Sequence, residues 1–129
     1  MVKIKIWETP FKDGNIEIIS TVWEEYADNE LSIKIYHMKS KSIYLINFKY
    51  ISAYRMLDEH GLLEIWGERD KQSLQIVNTY LVKGHIWSEE SIISFLQAYQ
   101  DGYSFLIATE GMCVEIIAPD IPLIQMIKK

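Results

Sequence analysis

Within the first fifty residues, apolar and polar side chains alternate in four runs: KIKIW (3–7), NIEIIS (15–20), LSIKIYHM (31–38) and SIYLINFKY (42–50). A period of two sends successive side chains to opposite faces, so each run buries one face only as a β-strand laid on a core. Their Ile, Tyr and Phe content suits a pleated, half-buried surface. The separators carry turn chemistry: TPFKDGN holds Pro10 and Asp13-Gly14, YADNE holds Asp28 and Asn29, and KSKS is a polar link of hairpin length. Gly, Asn and Asp accept the backbone conformations that tight turns need. The N-terminal half therefore reads as an antiparallel meander.

Further along, residues 51–57 fall in or just after the next strand, His60-Gly61 reads as a break, and LLEIWG (62–67) as resumed extended structure. Residues 73–82 fit two templates, because Leu74, Val77 and Leu81 make a helical stripe while the β-branched content and the following Lys83-Gly84 fit a strand ending in a turn; we read a strand. WSEESIISFLQAYQDG carries a helix start, with Ser88 as N-cap and Glu89 and Glu90 in the first turn. Ile92, Phe95, Leu96 and Tyr99 follow at helical spacing, and Gly102 can stop the helix. YSFLIAT and MCVEIIA flank Glu110-Gly111 as a closing hairpin, and APDIPLIQMIKK runs out extended, its prolines suiting a sheet edge. The expected fold is α+β: a mostly antiparallel, curved sheet, built from the meander and the C-terminal hairpin, with one main helix near residues 89–100 on one face. At 129 residues the chain has the length of one domain, 1–129.

Composition excludes several function classes. No window approaches 18 consecutive apolar residues, and MVKIKIWETP interrupts any apolar leader with charges, so neither a membrane span nor secretion by a signal peptide is expected. The single cysteine, Cys113, can form no internal disulfide, which points to a reducing, cytoplasmic setting. His37, His60 and His85 are isolated, so no metal or cofactor is expected. No phosphate-binding glycine loop, nucleophile elbow or His-Glu-x-x-His motif occurs, and no catalytic residue is assigned. A net charge of −5 opposes general nucleic-acid binding, which needs clustered Lys and Arg.

The charge comes in blocks. Residues 24–30 hold four acids (Glu24, Glu25, Asp28, Glu30) and no base, 31–55 hold five bases and no acid, and 56–70 hold five acids, among them Asp58, Glu59, Glu64 and Glu68, against Arg69. Solvated faces meeting across a sheet account for such blocks, as does a patterned surface for a charged partner. In YRMLDEHGLLEIW (54–66), Asp58 and His60 could share one side of an extended strand and act with Arg55 as a small-ligand or acid–base cluster; otherwise the stretch is a polar corner with Arg55 ion-paired to a nearby acid. Trp7, Trp23, Trp66 and Trp87 fit either core packing or interface anchoring. Tyr-rich basic strands such as 31–50 leave open a third reading, a structural adaptor that pairs with another chain.

Taken together, AYRMLDEHGLLEIW (53–66), HIWSEES (85–91), YSFLIATEGMCVEIIA (103–118) and APDIPLI (118–124) resemble a group of small bacterial immunity-type proteins encoded beside polymorphic or contact-dependent growth inhibition toxins. The shared features are an Arg and an Asp-Glu pair after a strand, a Trp-Ser step before a helix, a Leu-Ile-Ala-Thr-like strand and a proline-containing terminus. Ile121 separates Asp120 from Pro122 where the group has a tighter acid–proline step, so no role passes to Asp120. The resemblance implies a cytoplasmic protein, without catalysis of its own, that covers the active site or substrate groove of a toxin C-terminal domain, often a nuclease. On that reading the partner-binding residues are Glu24, Glu25, Asp28, Glu30, Asp58, Glu59, Glu64 and Glu68, with Trp66 or Trp87 as anchor, and a monomer is favoured.

Overall fold

A computed structural model describes residues 1–129. Nine strands form two antiparallel sheets. Strands β1 (Lys3–Ile6), β5 (Ala53–Asp58), β6 (Thr79–Lys83), β7 (Ser104–Ala108) and β8 (Met112–Ile117) make the larger sheet in the order β1-β6-β7-β8-β5. The smaller sheet, ordered β2-β3-β4-β9, contains β2 (Ile16–Glu24), β3 (Glu30–His37), β4 (Ser42–Phe48) and β9 (Leu123–Lys128). The α+β class, the meander β2-β3-β4 and the hairpin β7-β8 follow the alternation in the sequence, but the single curved sheet expected from it is two stacked sheets.

Alternation explains the stacking. In β3, Leu31, Ile33, Ile35 and His37 are buried while the residues between them are half-exposed, and β4 repeats the pattern through Ser42, Tyr44, Ile46 and Phe48. Those inward faces meet Leu81, Phe105, Ile107, Val114 and Ile116 of the larger sheet in one core of sixteen buried residues. The larger sheet is buried on its other side as well. There Tyr80, Val82, Leu106 and Cys113 pack under Leu62 and Ile65, and Ile117 packs under Phe95 and Ala98. Strands covered on both faces lose the period-two signal, which is why residues 73–82 were ambiguous: only Thr79–Lys83 is strand, following an irregular lead-in.

The helices depart from expectation. The longest is α1 (Leu63–Lys71), entered through a 3-10 turn at Glu59–Leu62, where extended structure was read for 62–67. Leu62, Ile65, Trp66 and Arg69 stand at i, i+3, i+4 and i+7, a helical stripe, and all are at least half-buried. Around residues 89–100, expected as one helix, the chain forms three short pieces: α2 (Ile86–Glu90), α3 (Ile92–Phe95) and α4 (Tyr99–Gly102). The physical reason lies in the stripe. Of Ile92, Phe95, Leu96 and Tyr99, only Phe95 is buried, while Ile92 and Leu96 are exposed, so no continuous apolar face holds a long helix against the sheet. His85, not Ser88, occupies the N-cap of α2; Ser88 Oγ donates to the His85 carbonyl at 2.6 Å. No helix is long and apolar enough to cross a membrane.

Candidate functional site

The site is built around β5, which enters the larger sheet as its edge. Asn29, held in the left-handed region at φ 49°, joins the two sheets there. It accepts from Trp23 Nε1 at 2.7 Å and donates to the Ile51 carbonyl at 2.7 Å. Asp28 ties the same turn to the β4–β5 link, accepting from Tyr50 Oη at 3.3 Å with Lys49 Nζ at 3.5 Å. Between turn and strand runs an open groove of about 570 Å³, lined by Trp23, Asn29 and residues 51–56. Ile51 and Ser52 of the link and Ala53–Met56 of β5 line it together, so the groove runs along the first part of the edge strand. Trp23 is 50% exposed and Met56 46%, so the groove carries apolar surface that the fold leaves uncovered.

Its rim is acidic. Glu24 and Glu30 are directly opposed across the β2–β3 ladder, and neither has an ion-pair partner; Glu25 beside them is exposed and also unpaired. Like charges opposed in this way destabilise a hairpin. At the far end of β5 stand Asp58 and Glu59, both exposed. Arg55 is the one cation lining the groove, and its charge is already matched: Nε and Nη2 donate to Glu115 Oε1 at 2.9 and 2.7 Å.

Glu115 anchors β5 from behind. It is fully buried on β8, and besides Arg55 it accepts from His85 Nε2 and Ser104 Oγ, each 2.5 Å from Oε2. His85 and Ser104 are themselves fully buried, and His85 Nδ1 has no hydrogen-bond partner. The Arg55 guanidinium lies 4.4 Å from the centre of the Trp87 ring, which packs edge-on against Phe95 at 5.4 Å. Arg55 is therefore ion-paired, as one reading of the sequence had it, but to an acid sixty residues away and not to one in its own corner. Burial raises the Glu115 carboxyl, while the His85 hydrogen bond and charge, the Arg55 guanidinium and the Ser104 hydroxyl pull it down, and the net position is below its ordinary 4.5. A carboxyl lowered by folding stabilises the fold above its unfolded value and loses that contribution as pH falls through the folded value. The melting temperature is thus expected to hold above about pH 4.5 and to drop on its acid side, with part of that slope missing in Glu115→Gln. Identical acid slopes for the two proteins would refute the assignment.

The sequence-derived candidates separate into groups. Glu24, Glu25, Asp28 and Glu30 share the turn at one end of the groove; Asp58 stands at the opposite end of β5, and Glu59, in the 3-10 turn, lines the separate pocket that holds Trp66 and Arg69. Asp58 also caps the corner, accepting from the His60 and Gly61 amides at 3.0 and 3.2 Å. Glu64 and Glu68 have structural bonds on α1: Glu64 accepts from the Ile86 amide at 2.9 Å, Glu68 from Gln72 Nε2 at 2.7 Å. Trp66 stacks edge-on with Tyr80 beneath Arg69 and lines a separate pocket of about 220 Å³; Trp87 is sandwiched as described. The aromatic side chains in the groove are Trp23 and Tyr54, neither among the anchors read from the sequence; the only signal for Trp23 is its adjacency to Glu24 at a strand end. The Arg55, Asp58 and His60 cluster is not assembled. His60 Nδ1 lies 3.8 Å from Asp58 Oδ1 on the open surface, both side chains largely exposed, while Arg55 points into the Glu115 network. Burial, with the charges of Glu59, Glu115 and Asp58, pushes the Cys113 thiol up to about 12, which leaves it unreactive at neutral pH. No group of three His, Cys, Asp or Glu side chains is placed to hold a metal ion. Comparisons with family models, curated proteins and solved structures find no match to this chain.

Proposed function

We propose that this chain is an immunity-type inhibitor that binds a cationic protein, the C-terminal domain of a cognate bacterial toxin, through the groove between the β2–β3 turn and β5. The observation that carries the reading is the uncompensated charge at that groove: Glu24 faces Glu30 without a counter-ion beside an exposed Trp23, and the one lining cation is neutralised from within. A partner that supplies Lys or Arg there relieves a repulsion the free protein carries, and the apolar floor gives the contact area. Toxin nucleases present such cations in their phosphate-binding grooves. The binder needs no catalytic group or cofactor for this role, and it acts where the toxin does, in the cytoplasm.

The test is co-expression with the C-terminal domain of the toxin encoded immediately upstream. This chain is expected to prevent the growth arrest that domain causes alone, and to purify with it in equal amount. With Glu24→Lys and Glu25→Lys combined, association at low salt is expected to slow about tenfold or more, with the difference shrinking as ionic strength rises. Both positions are exposed, so circular dichroism should be unchanged. Growth arrest undiminished by this chain would sink the reading; protection with salt-independent association rates would remove its electrostatic part.

A further inference from the structure

Two sheets have four edges, and in this fold three of them are blunted. Strand β2 is broken in register between Ile18 and Ser20, leaving Ile19 as a bulge, and β9 is broken opposite Ile43 and Tyr44. Strand β1 is four residues long and carries Lys3 and Lys5. Bulges, short length and lysines are the devices by which edge strands avoid pairing with other chains. Strand β5 has none of them. Its six residues, AYRMLD, pair with β8 in unbroken register from Ala53↔Ile117 to Asp58↔Met112, without proline or lysine. Apart from β8, no turn, loop or side-chain hydrogen bond reaches the backbone of residues 53–57, and Asp58 caps the 3-10 turn that follows. Alternate residues of the strand therefore turn free N–H and C=O groups into the groove.

Resting on the reading above, we infer that β5 is a strand-addition site: an extended, basic segment of the partner pairs with its open edge as a sixth strand of the larger sheet. Alternate partner side chains then lie against Trp23 and Met56, and Lys or Arg at its ends meet Glu24, Glu25 and Glu30 at one end and Asp58 at the other. Main-chain bonds give the affinity and the acids at both ends set register. A strand of six residues spans about 20 Å, long enough to reach both acidic ends. A second copy of this chain is the wrong occupant. Antiparallel pairing of two β5 strands would lay the Asp58-Glu59 end of one copy beside the Glu24–Glu30 turn of the other, acid against acid.

The probe is a decapeptide of alternating lysine and valine, titrated at low ionic strength into the isotopically labelled protein, with a glutamate–valine peptide as control. At nine-tenths saturation with the lysine peptide, the outward amides of residues 53–58 are expected to exchange with solvent about tenfold more slowly, and the control is expected to change nothing. Resonance shifts confined to residues 24–30, with β5 exchange unaltered, would overturn strand addition and leave the cationic-partner reading standing. Absence of lysine-peptide binding anywhere would overturn both. Concentration-dependent protection of β5 in the protein alone would overturn the proposal in favour of self-pairing.

Discussion

Replacing Arg55 with Met is expected to cost the fold roughly 3–5 kcal/mol, because it leaves the fully buried Glu115 carboxylate without its cation. Glu115 is fully buried and takes all of its hydrogen bonds from three side chains; Arg55 supplies two of the four bonds and the only obligatory positive charge. Met preserves the length and much of the packing beneath Trp87, so what is lost is the charge and its donors. The expected partner to this result is recovery. When Glu115→Gln is added to Arg55→Met, no buried carboxylate is left while the amide oxygen can still accept from His85 and Ser104, and most of the lost stability should return. Urea midpoints of the two single variants and the double variant measure this. A loss below about 1 kcal/mol in Arg55→Met would show that the remaining bonds from His85 and Ser104 suffice. The network ties β5 through Arg55 to Glu115 of β8, and through Glu115 to His85 and Ser104.

How much of this was legible in the residues follows from burial. The meander was readable because β3 and β4 bury one face and leave the other half-exposed, which writes alternation directly into the sequence. The helix α1 was misread because LLEIW satisfies two periods at once: Leu63 and Ile65 alternate as in a strand, while Leu62, Ile65 and Trp66 form the helical stripe that is used. Residues 89–100 depart in the opposite way, offering a stripe of which only Phe95 is buried. Glu24, Glu25 and Glu30 can be grouped from sequence because charge blocks are local. The ion pair of Arg55 with Glu115 was not, for the chemistry of a lone Glu inside MCVEIIA gives no hint of an arginine sixty residues away that its strand partner supplies. Trp23 was missed for a related reason. Four tryptophans near strand ends look alike in one dimension, and only the stacking of two sheets decides which ring is left in the open.

Truncating Phe105 to Ala is expected to be as damaging as breaking the ion pair, at about 4 kcal/mol. Phe105 is fully buried at the centre of the core and meets three aromatic rings: Trp7 at 5.0 Å and 64°, Phe48 at 5.3 Å and 61°, and Tyr99 at 5.2 Å and 33°. Those separations are in the range where aromatic pairs add about 0.5–1.5 kcal/mol beyond the area they bury. Each partner comes from a different part of the fold: Phe48 from the smaller sheet, Trp7 from the link between the sheets, Tyr99 from α4. Alanine leaves a cavity that three rings cannot fill by rotation alone, because each is pinned by its own neighbours. Phe105→Leu keeps most of the volume and should lose less than half as much in the urea midpoint; equal losses from the two would show that edge-on ring contacts, not the void, dominate. The same reasoning reaches the groove. One of its walls, Trp23 and Asn29, belongs to the smaller sheet, and the other, β5, to the larger, so the distance between them is set by the layer that Phe105 centres. A core loosened there is expected to weaken lysine-peptide binding even where the remaining protein is fully folded, whereas Ile4→Val, on β1 at the opposite edge of the larger sheet, should leave it unchanged.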